Sequence, residues 1–307
     1  MSQRVVVFLG TASQVPTRQR SHNALFLQWD DLGILFDPGE GAQRQMTLAG
    51  LSTSQVTHIA LTHFHGDHCL GLPGVLQRLS LDRVPHEVSV CFPASGRAYF
   101  ERMRRASLYH DAARVDVLPL AVEPDAEVVV FRRGRLRLLA RLLDHGVDCL
   151  GYRLQEEDGR RMLPEKLAEA GVSGPAVGEL QRRGSLQVGG RTVTLGEVSE
   201  PRPGQSFALT LDTRPCAAAA ALAARADLLV CEATYLESER AEAHAHYHMT
   251  AAQAAALARD AGVRRLALTH FSRRYLDAED FRRETAPVHP DVHVAADLDR
   301  VAVPPRL

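Results

Sequence analysis

The chain has 307 residues, of which 45% are hydrophobic and 24% are charged, and this composition indicates a folded globular protein rather than a disordered one. Its 36 basic and 37 acidic residues almost cancel to a formal charge of -1, so any contact with a polyanion must come from a local patch. No apolar run approaches the about 20 residues of a membrane span, and no signal peptide is recognised, so we expect a cytoplasmic protein with no membrane partner.

The cysteines predict neither a zinc ribbon nor a disulfide framework, because their number is odd and no two are spaced as C-x-x-C. We expect free, mostly buried thiols in a reducing compartment. The five cysteines are Cys69, Cys91, Cys149, Cys216 and Cys231.

The first half of the chain predicts a strand-rich layer. Apolar runs and turn residues between them indicate several strands, and 3.6-residue periodicity indicates helices. The expected strands are 5–10, 23–29, 33–37, 57–62 and 87–92, with a further series near Val115, Val128 and Leu136–Leu142. The expected helices are 41–50, 71–81 and a basic helix at 96–108.

The second half alternates strands with alanine-rich helices, after an interruption at about 163–203 that is rich in Gly, Pro and polar residues. The strands are expected at 206–212, 227–233 and 265–269. Together the two halves predict two β-layers covered by helices. We expect a domain made of residues 1–162 and 204–307, with 163–203 as an inserted segment.

A cluster of metal-ligand residue types follows the predicted strand at 57–62. In "THFHGDH", the side chains of residues 63, 65 and 67 are expected to share one side of an extended segment, while residues 67 and 68 point apart from a turn. Such a loop can serve two metals, and imidazole and carboxylate ligands suit zinc, with manganese or iron as alternatives. The alternative is a polar loop that caps a helix. The four residues are His63, His65, Asp67 and His68.

Three further ligand types lie where predicted strands give way to loops. His145 follows the strand at 136–143, Asp212 ends the strand at 206–212, and His270 follows the strand at 265–269. Loops at strand ends are where α/β proteins place reactive side chains from distant parts of the sequence. For any one of the three, the alternative interpretation is a surface or capping residue. Their shared position at strand ends favours a common metal site.

The chain resembles the metallo-β-lactamase superfamily and, within it, the ribonuclease Z family of transfer-RNA 3′-processing endonucleases. The H-x-H-x-D-H cluster alone would indicate only the superfamily. The more specific motifs, in the family's order, are "LFDPGEGAQRQM", "THFHGDHCLGLPG", "DHGVDCLGYRL", "DTRPC", "CEATY", "HMT" and "LTHFSRRY".

The resemblance implies an α/β fold, an αβ/βα sandwich of two mixed sheets flanked by helices, with an inserted flexible arm. It also implies a homodimer and two zinc ions per subunit. One ion would be held by His63, His65 and His145, and the other by Asp67, His68 and His270. Asp212 would bridge the two ions, and Asp37 would order the ligand loop.

The resemblance also assigns catalytic roles. Asp67 would orient or deprotonate the attacking water, and His248, bonded to Glu232, would donate a proton to the departing 3′ oxygen. Cys231 and Met249 stand where the family's His-Glu-Ala-Thr and His-Ser-Thr elements have histidine and serine. The neighbouring His244 and His246 are alternatives to His248 as the general acid.

Two segments are expected to bind substrate. "PTRQRSHN" resembles a family loop near the cleavage site, with Arg18 and Arg20 at its basic positions and Ser21 where the family has asparagine. "SGPAVGELQRRG" resembles the arm that grips the transfer-RNA body. Its phosphate contacts would be Arg182 and Arg183, with Lys166 and Arg191 as further candidates. A solvated polar hairpin is the alternative for this segment.

The sequence therefore predicts a zinc-dependent endoribonuclease that removes the 3′ trailer from precursor transfer RNA and leaves a 3′ hydroxyl. One alternative is a phosphodiesterase of the same fold for small or unstructured substrates. Another is a non-catalytic RNA-binding module, which the complete ligand set disfavours.

Overall fold

The structure is a computed structural model, which describes residues 4–306. The chain divides into two compact units, one made of 4–154 and 206–304 and the other of 155–205 with 305 and 306. The predicted inserted segment, 163–203, lies inside the second unit. None of the helices formed by the described residues is both long and apolar enough to cross a membrane.

The described residues form eighteen strands and ten α-helices. The strands are β1 (Arg4–Gly10), β2 (Ala24–Trp29), β3 (Leu32–Phe36), β4 (His58–Ala60), β5 (Val88–Pro93), β6 (Val115–Leu120), β7 (Val128–Arg133), β8 (Leu136–Leu142), β9 (Leu150–Glu156), β10 (Gly159–Met162), β11 (Ser185–Val188), β12 (Arg191–Thr194), β13 (Ser199–Arg202), β14 (Ser206–Thr210), β15 (Leu228–Glu232), β16 (Arg265–Thr269), β17 (Val292–Val294) and β18 (Arg300–Ala302). The helices are α1 (Ala42–Leu48), α2 (Gly66–Cys69), α3 (Leu72–Leu81), α4 (Arg97–Arg104), α5 (Pro164–Glu169), α6 (Pro175–Arg183), α7 (Ala217–Ala223), α8 (Arg240–Ala245), α9 (Ala251–Asp260) and α10 (Ala278–Thr285).

The first unit contains two seven-stranded mixed sheets. The first sheet has the order β18-β1-β2-β3-β4-β5-β6, with antiparallel pairs up to β3 and parallel pairs from β3 to β6. The second has the order β17-β16-β15-β14-β9-β8-β7, with parallel pairs from β14 to β17 and an antiparallel β7–β8 pair. The predicted pair of β-layers is therefore confirmed.

Alternate residues of β1 show how the layers stack, because successive side chains of a strand point to opposite faces. Val6 and Phe8 belong to the core between the two sheets, together with Phe36, Tyr152 and Phe207. The alternate β1 positions, residues 7 and 9, pack instead with side chains of α1, α3 and α4. Helices α7, α9 and α10 cover the outer face of the second sheet. The order of layers is helix, sheet, sheet, helix, which confirms the αβ/βα sandwich.

The core beneath α7 and α9 is built from small side chains. Ala219 and Ala223 of α7, and Ala254 and Ala258 of α9, are buried in one cluster with apolar residues of the second sheet. Thr250 begins α9 with a capping box, in which its hydroxyl accepts from the Gln253 amide. Alanine has the highest helix propensity, so these helices form readily and pack closely on the sheet.

The second unit has a core of its own. Helices α5 and α6 contribute Leu167 and Leu180, and the antiparallel β11–β12 hairpin contributes Val193. Strands β10 and β13 form a separate antiparallel pair. This unit therefore contains two short helices and a short hairpin around its own core.

Burial of the thiols leads to a prediction about their reactivity. All five cysteines are free, and only Cys216 is partly exposed. Burial raises the pKa of Cys91 and of Cys231 to about 12, which keeps these groups as unreactive thiols. A chromogenic thiol reagent should therefore modify one cysteine per native chain, Cys216, and five after unfolding. Rapid reaction of two or more thiols in the native protein would contradict the structure.

Candidate active site

Three strands end in residues with left-handed backbone geometry. Asp37 after β3, Asp212 after β14 and His270 after β16 have φ values of 43°, 28° and 61°. Such a conformation is costly for a residue other than glycine and persists only where the surroundings enforce it. All three side chains are buried. The two sheets of the first unit therefore each deliver side chains to one site through sharply turned strand ends.

The histidine cluster is extended only over its first part. The chain has extended geometry at His65, and α2 then begins at Gly66, with Asp67 in its first turn. Residues 63, 65 and 67 therefore do not share one side of an extended segment, as the sequence suggested. The helical turn instead separates Asp67 and His68 from the two histidines before them.

Asp37 orders this loop, as the resemblance implied. Its carboxylate accepts hydrogen bonds from the Thr62 amide and hydroxyl, both at 2.6 Å. It also accepts from Nδ1 of His68 at 2.8 Å. Because the Thr62 hydroxyl donates to Asp37, its oxygen accepts from Nδ1 of His63 at 2.9 Å. Both imidazoles are thereby left with Nε2 as the free nitrogen.

Thr234 orients histidines at the end of the second sheet as Thr62 does at the end of the first. Its hydroxyl donates to Oε2 of Glu232 at 2.6 Å and accepts from Nδ1 of His270 at 2.9 Å. Glu232 also accepts from the Thr213 amide at 2.7 Å and from Nδ1 of His248 at 2.9 Å. His270 and His248 therefore also keep Nε2 free.

His145 and His65 complete the set of histidines. Nδ1 of His145 donates to the backbone carbonyl of Tyr247 at 3.2 Å, so its Nε2 is free as well. His65 differs, because it turns Nδ1 towards Nε2 of His145, 3.4 Å away. Backbone and side-chain acceptors thus fix which nitrogen four of the five predicted histidine ligands present, which is how proteins orient metal-binding imidazoles.

The structure brings all seven predicted ligands together. One group combines His63, His65, His145 and Asp212, and another combines Asp67, His68 and His270, with the ligand atoms of each group within 4.8 Å of one another. Oδ2 of Asp212 lies 3.7 Å from Nε2 of His63, and its Oδ1 lies 3.3 Å from Nε2 of His270. The Asp212 carboxylate therefore lies between the two groups.

The donor atoms fit a metal ion. Nε2 of His68 and Nε2 of His270 are 3.2 Å apart, and each is 3.4 Å from Oδ2 of Asp67. Tetrahedral zinc, with bonds of about 2.0 to 2.2 Å, places its ligand atoms about 3.3 to 3.6 Å apart. Because both Nδ1 atoms donate elsewhere, two neutral imidazoles here would face each other with lone pairs. A metal ion or a proton between the two nitrogens removes this repulsion.

Buried charge leads to the same conclusion. Asp37, Asp67, Asp212 and Glu232 are buried, and within 4–306 none of them forms an ion pair with Arg or Lys. Burial opposes ionisation, but neighbouring histidines hold the pKa values of Asp67 and Asp212 well below the usual range. Buried carboxylates require paired positive charge. Nε2 of His63 and Oδ1 of Asp212 also lack a hydrogen-bond partner among the described residues.

His248 has the opposite electrostatic setting. Burial alone would lower the pKa of its imidazole, but the Glu232 carboxylate and its hydrogen bond raise it to about 9. His244 and His246 are exposed, and His246 is 3.9 Å from Glu242. Of these three histidines, only His248 has a buried carboxylate to orient it.

An open cleft of about 990 Å³ gives access to the site. Ligands and His248 line it together with Tyr247 and Arg273. Arg273 is exposed and forms no ion pair with any residue in 4–306. Arg274 also lines the cleft but pairs with Glu239 at 2.5 Å.

Of the predicted substrate-binding arginines, Arg20 is mainly engaged within the protein. Its Nη1 donates to Thr11 and to the Ala295 carbonyl at 3.1 and 3.2 Å. Its guanidinium also lies 4.4 Å from the Phe271 ring centroid. Arg20 therefore anchors the loop at 13–22, while Arg18 is exposed on it. The Ser21 amide is fixed by Asp297 at 2.6 Å.

The other two predicted substrate contacts, Arg182 and Arg183, are exposed in the last turn of α6, in the second unit. Nη1 of Arg183 is 3.1 Å from Glu179. Substrate binding by these four arginines stays a prediction.

The two departures from the family elements lie in the core. Cys231 and Met249 are fully buried among the apolar residues between the second sheet and its helices. Each sits next to a residue of the Glu232–His248 pair without disturbing it, since the 2.9 Å hydrogen bond is formed. The sequence did not predict that Thr62 and Thr234 orient the imidazoles. Their only sequence signal is their position next to His63 and two residues after Glu232.

Comparisons with known proteins agree with this geometry. Residues 17–162 match the family description "Metallo-beta-lactamase superfamily", and residues 178–271 match "Beta-lactamase superfamily domain". A protein named Ribonuclease Z from Salinispora arenicola is 55% identical over 100% of this chain and 98% of its own length. One of the same name from Nocardia farcinica is 54% identical, with 100% of both chains covered.

A solved structure extends the comparison to the fold. The crystal structure of human tRNase Z, short form, superposes with a TM-score of 0.70, covering 98% of this chain and 99% of that one at 24% identity. At this identity the likeness shows the fold alone. The fold, with helices on the outer faces of two sheets, agrees with the ligand cluster at the strand ends. Full-length relatives at more than half identity identify the family. The chain belongs to the ribonuclease Z family of the metallo-β-lactamase superfamily.

Proposed function

We propose that the protein is a metal-dependent endoribonuclease that removes the 3′ trailer from precursor transfer RNA and leaves a 3′ hydroxyl on the transfer RNA. The observation that carries the proposal is the pair of ligand groups at an open cleft, with the Asp212 carboxylate between them and with His248 and Glu232 beside them. Full-length relatives named Ribonuclease Z support transfer RNA as the substrate class.

Two zinc ions per subunit suit the donor set, with His63, His65 and His145 on one side, Asp67, His68 and His270 on the other and Asp212 between them. Manganese or iron are alternatives that accept the same nitrogen and oxygen donors. When bound, such ions supply a water of lowered pKa and stabilise negative charge on the reacting phosphate.

The protein side chains supply orientation and proton transfer. Oδ2 of Asp67 is held by the Gln14 amide at 2.7 Å, so the carboxylate has a fixed position from which to orient the attacking water. Nδ1 of His248 donates to Glu232, which leaves Nε2 to deliver a proton to the departing 3′ oxygen. The proton is on His248 before cleavage and on the new 3′ hydroxyl afterwards.

A trailer-bearing precursor transfer RNA tests this function. Zinc-loaded enzyme should cut it once, after the discriminator nucleotide, and chelation should stop the cut. A precursor that stays intact with saturating enzyme and zinc would exclude the proposal. Efficient hydrolysis of small diesters together with an intact precursor would instead favour the phosphodiesterase alternative, and less than one metal per chain would favour a binding module.

The second unit supplies a candidate contact to the transfer-RNA body. We propose that the inserted segment 163–203 is the arm of the family and that Arg182 and Arg183 neutralise phosphates. Such contacts release counterions, so each one steepens the salt dependence of binding. Recognition of a stem through its backbone needs no base readout.

Charge reversal of the arm is therefore expected to separate binding from chemistry. In the double variant Arg182→Glu with Arg183→Glu, KM for the precursor should rise, and the slope of log KM against log salt should fall by about 1 to 2. Turnover of a small chromogenic diester should not change. The matched control reverses Arg282 and Arg283, also exposed in the last turn of a helix. An equal effect of both double variants would indicate a general charge effect rather than an arm.

We propose a homodimer, as the family resemblance implies, and a cytoplasmic compartment, as the sequence predicts. The free cysteines are consistent with a reducing compartment. Sedimentation of the purified protein at several concentrations tests the dimer, and a single monomeric species would exclude it.

A further inference from the structure

Tyr247 is an aromatic side chain at the cleft that neither the ligand groups nor the proton-transfer pair uses. Its side chain lines the cleft and is 36% exposed. Its backbone has a left-handed φ of 61°, and its carbonyl accepts the hydrogen bond from Nδ1 of His145. His248 is the next residue. The backbone of Tyr247 is therefore fixed relative to a proposed ligand, His145, and to the proposed proton donor.

The Tyr247 ring is also held from behind. The guanidinium of Arg214 lies 4.2 Å from its centroid. Nε and Nη2 of Arg214 donate to the two carboxylate oxygens of Asp144 at 3.1 and 2.9 Å, so the guanidinium itself is fixed. Tyr247 lines the cleft, and Arg214 is not among the described residues that do. The covered face of the ring is therefore the one turned away from the cleft.

No aromatic ring in 4–306 stacks on the other face of Tyr247. The ring of His145 meets the ring of Tyr247 nearly at a right angle, at 83° with the centroids 6.2 Å apart, which is an edge contact rather than a stack. A rigid aromatic ring with one face supported by a cation and the other facing a cleft is the arrangement that stacks on nucleobases in single-stranded regions.

We propose that Tyr247 is the stacking platform for the discriminator base, the base of the nucleotide that carries the departing 3′ oxygen. The inference rests on the proposed function. The position follows from the chain, because Tyr247 directly precedes His248, which delivers the proton to that oxygen. Every base has a π-face, so stacking seats the nucleotide whatever its identity. Tyr247 is thus a substrate-positioning residue.

Substitutions that keep or remove the ring test the stack. Tyr247→Leu should raise KM for the precursor about 5- to 150-fold, while Tyr247→Phe should keep the wild-type value. A precursor that is abasic at the discriminator position supplies the control. On that substrate wild type and Tyr247→Leu should have the same KM, whereas an abasic first trailer nucleotide should leave their difference intact.

Fluorescence gives a readout independent of cleavage. The chain has a single tryptophan, Trp29, which is fully buried. In a Tyr247→Trp variant, emission from the new indole should be quenched by a transfer-RNA product that ends in the discriminator base, and not by the same RNA with that base removed. Equal quenching by both RNAs would overturn the proposed stack.

The outcomes separate this inference from the proposed function. If the wild-type enzyme leaves the intact precursor uncut, the proposed function fails and the inference fails with it. If the wild-type enzyme cuts normally and Tyr247→Leu has an unchanged KM, only the stack is overturned. A KM increase that is the same on the abasic and intact substrates would also overturn it, because the ring would then act without a base partner.

Discussion

Asp212→Asn is expected to lower precursor cleavage by about 10³-fold or more, which corresponds to about 4 kcal/mol of lost transition-state stabilisation. The carboxylate lies between both ligand groups, with one oxygen 3.3 Å from His270 and the other 3.7 Å from His63. An amide of the same size keeps the shape and loses the charge. We therefore expect the metal content to fall from two ions per chain to one or fewer.

The substitution is chosen to preserve the backbone. Asp212 has a φ of 28°, and asparagine tolerates the left-handed region as well as aspartate does. Asp125 offers a matched control, because it is exposed and has a φ of 62°. Asp125→Asn makes the same chemical change in the same backbone region, away from the ligands, and should leave cleavage and metal content unchanged.

Metal content by mass spectrometry and single-turnover cleavage measure the two effects. Two bound ions in Asp212→Asn together with a cleavage rate within tenfold of wild type would reject the bridging role. A loss of thermal stability in both Asp212→Asn and Asp125→Asn would trace the effect to the turn rather than to the carboxylate.

His248→Ala is expected to slow cleavage by about 10²- to 10⁴-fold while both metals stay bound, since removal of a general acid costs this much. His248 is not among the seven proposed ligands, and its Nδ1 is engaged by Glu232 at 2.9 Å. The defect should therefore lie in the rate of the chemical step and not in KM. Glu232→Gln should slow cleavage as well, because the amide holds the imidazole less firmly in position.

The neighbouring histidine supplies the control. His246→Ala removes an exposed imidazole two residues away and should leave the rate unchanged. A precursor with a sulfur in place of the departing 3′ oxygen needs little protonation, so it should largely restore the rate of His248→Ala. An unchanged rate of His248→Ala on the normal precursor would remove the residue from proton transfer.

The proposed ligands could be predicted from the sequence because they lie at the ends of strands. His270 directly follows a buried apolar strand and Asp212 comes two residues after another, and that pattern is visible in the residues alone. The orientation of each imidazole was not predictable. It depends on hydrogen bonds to Asp37, Thr234 and the Tyr247 carbonyl, which tertiary contacts bring into place.

The elements that the sequence missed are short or locally ambiguous. Strand β9 (Leu150–Glu156) has a glycine, Gly151, at a point where the side chain of Leu222 comes very close. That close approach explains the glycine, but it also weakens the strand pattern. Helix α8 (Arg240–Ala245) is six residues long and mostly exposed, so its periodicity is too short to recognise.

The inward position of Arg20 shows a different limit. A basic residue in a polar loop suggests phosphate binding, yet its guanidinium packs on Phe271 and donates to Ala295. Both partners are about 250 or more positions away in the sequence, so no local pattern could reveal them. Charge alone predicts exposure, and only the folded chain determines which charges face solvent.

The position of β18 beside β1 has a consequence for synthesis on the ribosome. Residues 300–302 cover the outer edge of β1, and they come after all seven proposed ligands in the chain. Until those residues leave the ribosome, that edge of the first sheet has unpaired backbone groups, which can pair with other chains. A nascent chain can therefore contain every ligand residue while the first sheet still lacks its edge strand. Translation of β18, rather than of the last ligand residue, completes that sheet.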